Sequence, residues 1–168
     1  MSSAILGIDM LGLAKIVGGM QLHVTVNFLG YLRESKLESA KRIVSEYRHE
    51  EFDISAKGAG MFESRGSGVV FIAIQDGAAE ISIIHSQLEE LFRKDGIIVE
   101  DKHFTPHITL ARFKGLNRNG VEALRGVVNG LENHAFGRFR CTGLALKKSV
   151  LSNSGPAYST LASSTFTF

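Results

Sequence analysis

One short phrase occurs twice in this chain. The first copy is His23-Val24-Thr25-Val26; the second, 84 residues later, is His107-Ile108-Thr109-Leu110. Both sit in apolar runs of strand character. Successive side chains of a strand point to opposite faces, so His and Thr two apart share a face while the apolar neighbours bury on the other. Each copy therefore presents one imidazole and one hydroxyl on a stiff backbone. Two such strands facing each other supply the groups that phosphodiester cleavage needs. A neutral His accepts a proton from water or a sugar hydroxyl, and a protonated His donates one to the departing oxygen. Histidine, with an unperturbed pKa of roughly 6.5, provides both states near neutrality. The Thr hydroxyls suit the non-bridging phosphate oxygens, where charge is stabilised. Either copy alone would read as an ordinary strand, since β-branched Thr favours strands; the repetition in matching context points to chemistry. The scheme uses no metal and no cofactor.

The surrounding sequence alternates between periods of two and 3.6, the pattern of a mixed α and β protein. Strands are expected over Ala4–Asp9, Gln21–Leu29, Phe52–Lys57, Val69–Gln75, His103–Phe113, Phe139–Leu151 and Ala157–Phe168. A first helix is expected after Ser35, which with Glu38 forms a capping-box pattern, and it places Leu37, Ala40, Ile43, Val44 and Tyr47 on one face. A second runs from Ala78 to Lys94, burying Ile81, Ile84, Leu88, Leu91 and Phe92, and stops at Gly96. A third starts near Asn119 and carries Val121, Leu124, Val128 and Leu131. Arg65-Gly66-Ser67-Gly68 and the stretch Ser152 to Pro156 read as hairpin turns, which implies antiparallel pairing. Without a linker or low-complexity tract, the 168 residues are expected to form one unit.

Composition narrows the class. Apolar residues make up 44% of the chain and the net charge is +2, which gives a core-forming protein and not a nucleic-acid coat. The segment from Asp101 to Val150 holds nine Lys or Arg against three Asp or Glu; a solvated basic face is the commoner reading of such a bias, and a surface for an anionic ligand is the alternative. The single cysteine, Cys141, excludes an intrachain disulfide and a cysteine-rich zinc site, and reads as core filler. Asp9 and Lys15 interrupt the apolar N-terminal stretch, which has no basic leader; neither a signal peptide nor a membrane span is expected, and the location is expected to be cytoplasmic. No dinucleotide fingerprint is read at Gly58-Ala59-Gly60, since strand sequence follows it, and no Gly-x-Ser-x-Gly elbow is present.

Three segments, HVTVNFLG (His23–Gly30), FTPHITLAR (Phe104–Arg112) and the closing stretch from Phe136 to Phe166 with its Leu-Lys-Lys-Ser and Gly-Pro-x-Tyr-x-x-Leu elements, resemble the two-histidine (2H) phosphoesterases. Among these, the LigT/ThpR RNA 2',3'-cyclic phosphodiesterases match best. A nucleotide-binding branch found in certain A-kinase anchoring proteins shares the Phe-x-Pro-His-x-Thr phrase and the pattern at Phe92–Val99. The resemblance implies an α+β class: a bilobal, pseudo-twofold LigT-like fold of mainly antiparallel sheets around a central groove, each lobe contributing one His-x-Thr. Carried over residue by residue, it implies that His23, Thr25, His107 and Thr109 are catalytic; which histidine is acid and which base depends on the direction of attack, and the reading adopted is His107 as base and His23 as acid. The reaction implied is opening of a 2',3'-cyclic phosphate to a 2'-phosphate. Only 22 residues precede His23, so the first lobe is expected to be shortened.

Candidate substrate contacts are Phe28, Arg65, Arg112 and Tyr158. Phe28 shares its parity with Val24 and Val26 and reads as strand core, with base stacking as the alternative. Strand parity turns Arg112 away from His107 unless a bulge intervenes. Arg65 reads as an exposed turn residue that could cap the groove. His103 would share a face with His107, but no carboxylate lies nearby to complete a metal site. His49, His85 and His134 read as surface or helix-flank positions. The expected partner is a nucleotide or short RNA-type phosphodiester, with no membrane and no long duplex. A 2',5'-linked oligoadenylate, a cyclic dinucleotide or an ADP-ribose cyclic phosphate would offer the same chemistry. The competing readings are a non-catalytic nucleotide-binding module and a scaffold for protein contacts.

Overall fold

A computed structural model of the protein describes residues 12–99, 103–152 and 155–168. The strand expected over Ala4–Asp9 lies outside these residues. The chain divides into two units, each built from three segments.

The first unit comprises Met1–Thr25, Ile54–Ala78 and Thr105–Arg138. Its strands are β1 (Lys15–Ile16), β2 (Phe52–Ser64), β3 (Ser67–Ile74), β4 (His107–Phe113) and β5 (Ala135–Cys141), in the sheet order β1-β4-β3-β2-β5. The pairs β1 with β4, β2 with β3, and β3 with β4 are all antiparallel, as the hairpin reading requires. Alternation sorts the faces of β3: Val70, Ile72 and Ile74 are buried, while Val69, Phe71 and Ala73 are only half-buried. Ile108, Leu110 and Phe113 of β4 are buried as well. Between β4 and β5, the helix α3 (Arg118–Asn129) buries Val121, Leu124 and Val128, the apolar stripe read from its sequence. Its N-cap is Asn117, whose side chain accepts from the Gly120 N–H.

The β2–β3 hairpin turns at Arg65 and Gly66, whose φ angles are 52° and 75°. Two consecutive positive φ values mark the mirror-image type I' turn that matches strand twist. A side chain at Gly66 would also sit 2.1 Å from the Leu116 carbonyl oxygen, so this position has room only for glycine.

The second unit comprises Val26–Asp53, Ala79–Phe104 and Phe139–Phe168. It holds helix α1 (Glu34–Glu46), most of helix α2 (Ala78–Lys94) and the antiparallel pair β6 (Gly143–Ser152) and β7 (Gly155–Thr165). Ala40, Ile43, Val44 and Tyr47 pack with Ile84, Leu88, Phe92, Ile97 and Phe166 into its core. Cys141 is half-buried against that core, as its reading as filler implies.

Several local expectations change. Helix α1 begins at Glu34 with Arg33 as its N-cap and no capping side chain, so Ser35 already lies inside the first turn and forms no cap. In α2, Leu91 is 38% exposed and His85 takes its place in the buried set, at 7%. The stretch from Phe139 to Leu151 is two strands broken at Thr142, not one. The hairpin between β6 and β7 pairs Ser152 with Gly155, with its tip outside the described residues. No helix among the described residues is long and apolar enough to cross a membrane.

Candidate active site

Of the strand expected over Gln21–Leu29, one bridge forms: Val24 pairs antiparallel with Ile108 of β4. A single-turn 3-10 helix, Gly19–Gln21, precedes it. The one bridge decides the site. With Val24 opposite Ile108, antiparallel register sets Thr25 opposite His107 and His23 opposite Thr109. Ile108 is buried, so the four polar side chains share the other face, where His23 and Thr25 are exposed and His107 and Thr109 half-buried. The two histidines stand on a diagonal, each beside the other copy's threonine. His23, Val24 and Thr25 thus lie in the first unit with the whole second copy, and the division between the units falls before Val26.

The imidazoles are held in the same way. His23 Nδ1 lies 2.6 Å from the Gln21 carbonyl oxygen and His107 Nδ1 lies 2.7 Å from that of Thr105. A carbonyl only accepts, so each Nδ1 carries a hydrogen, and the lone pair of each neutral ring is on Nε2. The local sequence sets this up. Around Gln21 the 3-10 turn aims the carbonyl, and at Thr105 the following Pro106 holds the backbone extended. Strand β4 starts at His107, so His103 lies outside it and does not share the face by strand parity.

Strand β4 also carries a bulge. Val70 pairs with Ala111 and Phe71 with Thr109, which leaves Leu110 as an extra residue. Leu110 and Ala111 are both buried, at 1% and 0%, and the alternation resets behind them. Arg112 therefore returns to the face of His107 and Thr109, opposite Val69 on β3 and Lys15 on β1. In the sequence, Lys15 is only an interruption of an apolar run. Its pairing with β4 puts two cations side by side, and neither takes part in any ion pair among the described residues.

Arg65 sits in the hairpin turn, beyond Ser67, which is itself six residues along β3 from Ala73, the partner of His107; that is about 20 Å of strand. Phe28 and Tyr158 belong to the second unit and are 60% and 41% exposed. The core reading of Phe28 is corrected: among the described residues the Val24 bridge is the segment's one strand pairing, and no ladder extends to Phe28 to bury its ring. His85, expected at the surface, is buried; its Nδ1–H donates to the Val26 carbonyl at 2.7 Å and its ring stacks on Phe104 at 4.0 Å. Among the described residues, no group of three or more His, Cys, Asp or Glu side chains is placed to hold a metal ion.

Residues 13–150 match the model of the 2'-5' RNA ligase superfamily. The chain belongs to that superfamily. Superfamily relatives include an RNA 2',3'-cyclic phosphodiesterase of Aeropyrum pernix, 31% identical over 88% of this chain and 83% of the relative. Another, of Archaeoglobus fulgidus, is 32% identical over 88% of this chain and 81% of its own. Among solved structures, a Thermus thermophilus protein aligns with a TM-score of 0.73 and 26% identity, covering 97% of this chain and 87% of that one. E. coli LigT complexed with 3'-AMP also aligns at 0.73, with 18% identity over 99% and 92% of the two chains, a likeness of fold. The resemblance to LigT-type two-histidine phosphoesterases and the α+β class both stand.

Proposed function

We propose that this protein is a phosphodiesterase that opens 2',3'-cyclic phosphates at the ends of RNA or on nucleotides, leaving a 2'-phosphate, without a metal ion. The observation that carries the reading is the bridge between Val24 and Ile108, which gathers two imidazoles and two hydroxyls on one face. The RNA 2',3'-cyclic phosphodiesterases at 31% and 32% identity support the same substrate class.

In the proposed reaction, His107 Nε2 removes a proton from a water molecule as the water oxygen bonds to phosphorus. The bond from phosphorus to O3' breaks, and protonated His23 donates from Nε2 to the leaving O3'. One water is consumed; a 2'-phosphomonoester and a 3'-hydroxyl result, and the two rings exchange protonation states, to be reset through solvent. Thr25 and Thr109 donate hydrogen bonds to the non-bridging oxygens, where a fixed donor lowers the barrier most. Arg112 and Lys15 attract the anion, and the absence of an ion-pair partner among the described residues leaves their charge available to it. A cytoplasmic location is part of the same reading.

The test is hydrolysis of a 2',3'-cyclic nucleotide, a 2',5'-linked dinucleotide and a cyclic dinucleotide in the presence of chelator, with wild type, His23→Ala and His107→Ala. Turnover of the 2',3'-cyclic nucleotide to a 2'-phosphate, lost in both variants, is the expected result. Turnover that chelator abolishes, or that survives either substitution, would overturn the mechanism.

A further inference from the structure

The first catalytic phrase has little strand structure to hold it. Past the bridge between Val24 and Ile108, no ladder among the described residues takes up the Val26 carbonyl. Val26 is half-buried, and a carbonyl withdrawn from water needs a donor. A side chain supplies it: His85 Nδ1–H donates to the Val26 oxygen at 2.7 Å. One residue on, Asn27 Nδ2 donates in turn to the His85 carbonyl at 3.4 Å. The same imidazole lies flat on Phe104, with centroids 4.0 Å apart and planes within 8° of parallel. His85 is itself fixed by its helix. It is 7% exposed on the face of α2 that buries Ile81, Ile84 and Leu88.

The two contacts fall at corresponding places in the two phrases. Val26 follows Thr25, and Phe104 precedes Thr105, whose carbonyl accepts from His107 Nδ1–H. One ring therefore holds the backbone just after the first His-x-Thr and just before the second. Peptide groups are planar and each residue has only two soft dihedrals, so an anchor on one residue restrains its neighbour closely. Packing alone does not call for a histidine here. An apolar ring would stack on Phe104 as well, and a buried ring nitrogen is costly unless it is bonded. What histidine adds is a donor and a stacking face in one side chain.

Resting on the cyclic-phosphodiesterase reading, we propose that His85 is a positioning residue for the reaction, acting through both catalytic histidines. Its Nδ1–H sets the segment that carries His23 and Thr25, and its stack on Phe104 sets the Thr105 carbonyl that aims His107. His85 moves no proton and touches no substrate. It keeps the two phrases in register, where a misplacement of about 1 Å costs up to about 100-fold in rate.

The test reads the two catalytic rings separately. Proton–nitrogen correlation spectra of the His23 and His107 imidazoles, with kcat and KM on 2',3'-cyclic AMP, are compared for wild type, His85→Phe, His85→Asn and Phe104→Leu, with thermal melts to confirm folding. His85→Phe keeps the stack and loses the hydrogen bond; it is expected to shift the His23 signals and spare those of His107. His85→Asn places an amide N–H where Nδ1–H stood and loses most of the stack. It is expected to shift the His107 signals and spare those of His23, as is Phe104→Leu, which leaves His85 intact. Each variant is expected to lower kcat roughly tenfold with KM within twofold. Lower melting temperatures with both rings unmoved and kcat unchanged would make His85 a structural residue only and overturn the proposal, as would losses confined to KM. If neither His85 variant folds, Phe104→Leu decides by the same criteria. Ring shifts in the expected pattern, in a protein whose wild type does not hydrolyse the substrate, would sink the activity and leave the positioning. Wild-type turnover with unmoved rings and unchanged kcat in the variants would do the opposite.

Discussion

Val24 and Ile108 face each other across an antiparallel bridge, and the order of the polar groups follows from it. Each histidine neighbours the threonine of the other copy, so neither His-x-Thr is a self-sufficient unit. The arrangement has an approximate local twofold symmetry about the bridge, repeated in the hydrogen bonds that fix His23 and His107 through carbonyls two residues upstream.

That pairing predicts the pattern of losses. His23→Ala and His107→Ala should each lower kcat by about 100-fold or more, the range for a positioned acid or base. Thr25→Val and Thr109→Val, which keep strand propensity, should cost about tenfold to a hundredfold in kcat with a smaller change in KM. A double variant that removes both histidines should be little worse than either alone, because acid and base act in one step. Steady-state kinetics on 2',3'-cyclic AMP decide this; strictly additive losses would contradict a concerted pair.

Lys15 and Arg112 give a prediction in which stability and activity move in opposite directions. Like charges directly opposite on neighbouring strands repel, whereas opposite charges stabilise by about 0.2–1 kcal/mol. Arg112→Glu should therefore leave the melting temperature unchanged or slightly raised while increasing KM for an anionic substrate at least tenfold. A fall in melting temperature with unaltered KM would show that Arg112 serves the fold and not the ligand.

How much of this the sequence discloses depends on which contacts are local. The four polar positions are legible because a repeated phrase in a strand fixes its own parity, and α2 and α3 are legible because their apolar stripes are long. Arg112 is half legible: its facing depends on the bulge at Leu110, and a bulge is set by the partner strand, which sequence periodicity does not contain. Lys15 comes beside Arg112 only through the pairing of β1 with β4, so nothing in its own neighbourhood marks it. His85 reads as surface because its partners, Val26 and Phe104, lie far from it in sequence.

The hairpin turn supplies a test of the fold itself. Gly66→Ala should destabilise by about 1–3 kcal/mol, since it combines positive φ with a clash against the Leu116 carbonyl. Arg65→Gly should stabilise slightly or be neutral, because Arg65 holds φ 52° without the freedom of glycine. Denaturant unfolding measures both, and a stabilising Gly66→Ala would contradict the type I' assignment.

Cys141 should be a slow thiol. Burial raises its pKa above the ordinary value, opposed only in part by a hydrogen bond with the Gly143 backbone, with Glu51 adding to the rise. A raised pKa means less thiolate at a given pH, so alkylation by iodoacetamide at pH 8 should be several-fold slower in the folded protein than in denaturant. The gap should narrow as the pH is raised toward 10. Equal rates at pH 8 would place the thiol in open solvent, contrary to its packing.

His85 offers the last test, because it holds two chain segments by different means. Its Nδ1–H bonds to Val26, the residue after Thr25, and its ring lies 4.0 Å from that of Phe104, three residues before His107, with the planes within 8° of parallel. Its burial, at 7% exposure, makes the ring part of the second unit's interior. His85→Phe keeps the stack and removes the hydrogen bond, and should cost about 1–2 kcal/mol for the unpaired Val26 carbonyl. His85→Ala removes both and opens a cavity, and should cost about 2–4 kcal/mol. Urea unfolding of the two variants separates the contributions. If Phe and Ala cost the same, the stack contributes nothing and the hydrogen bond alone anchors the segment after Thr25.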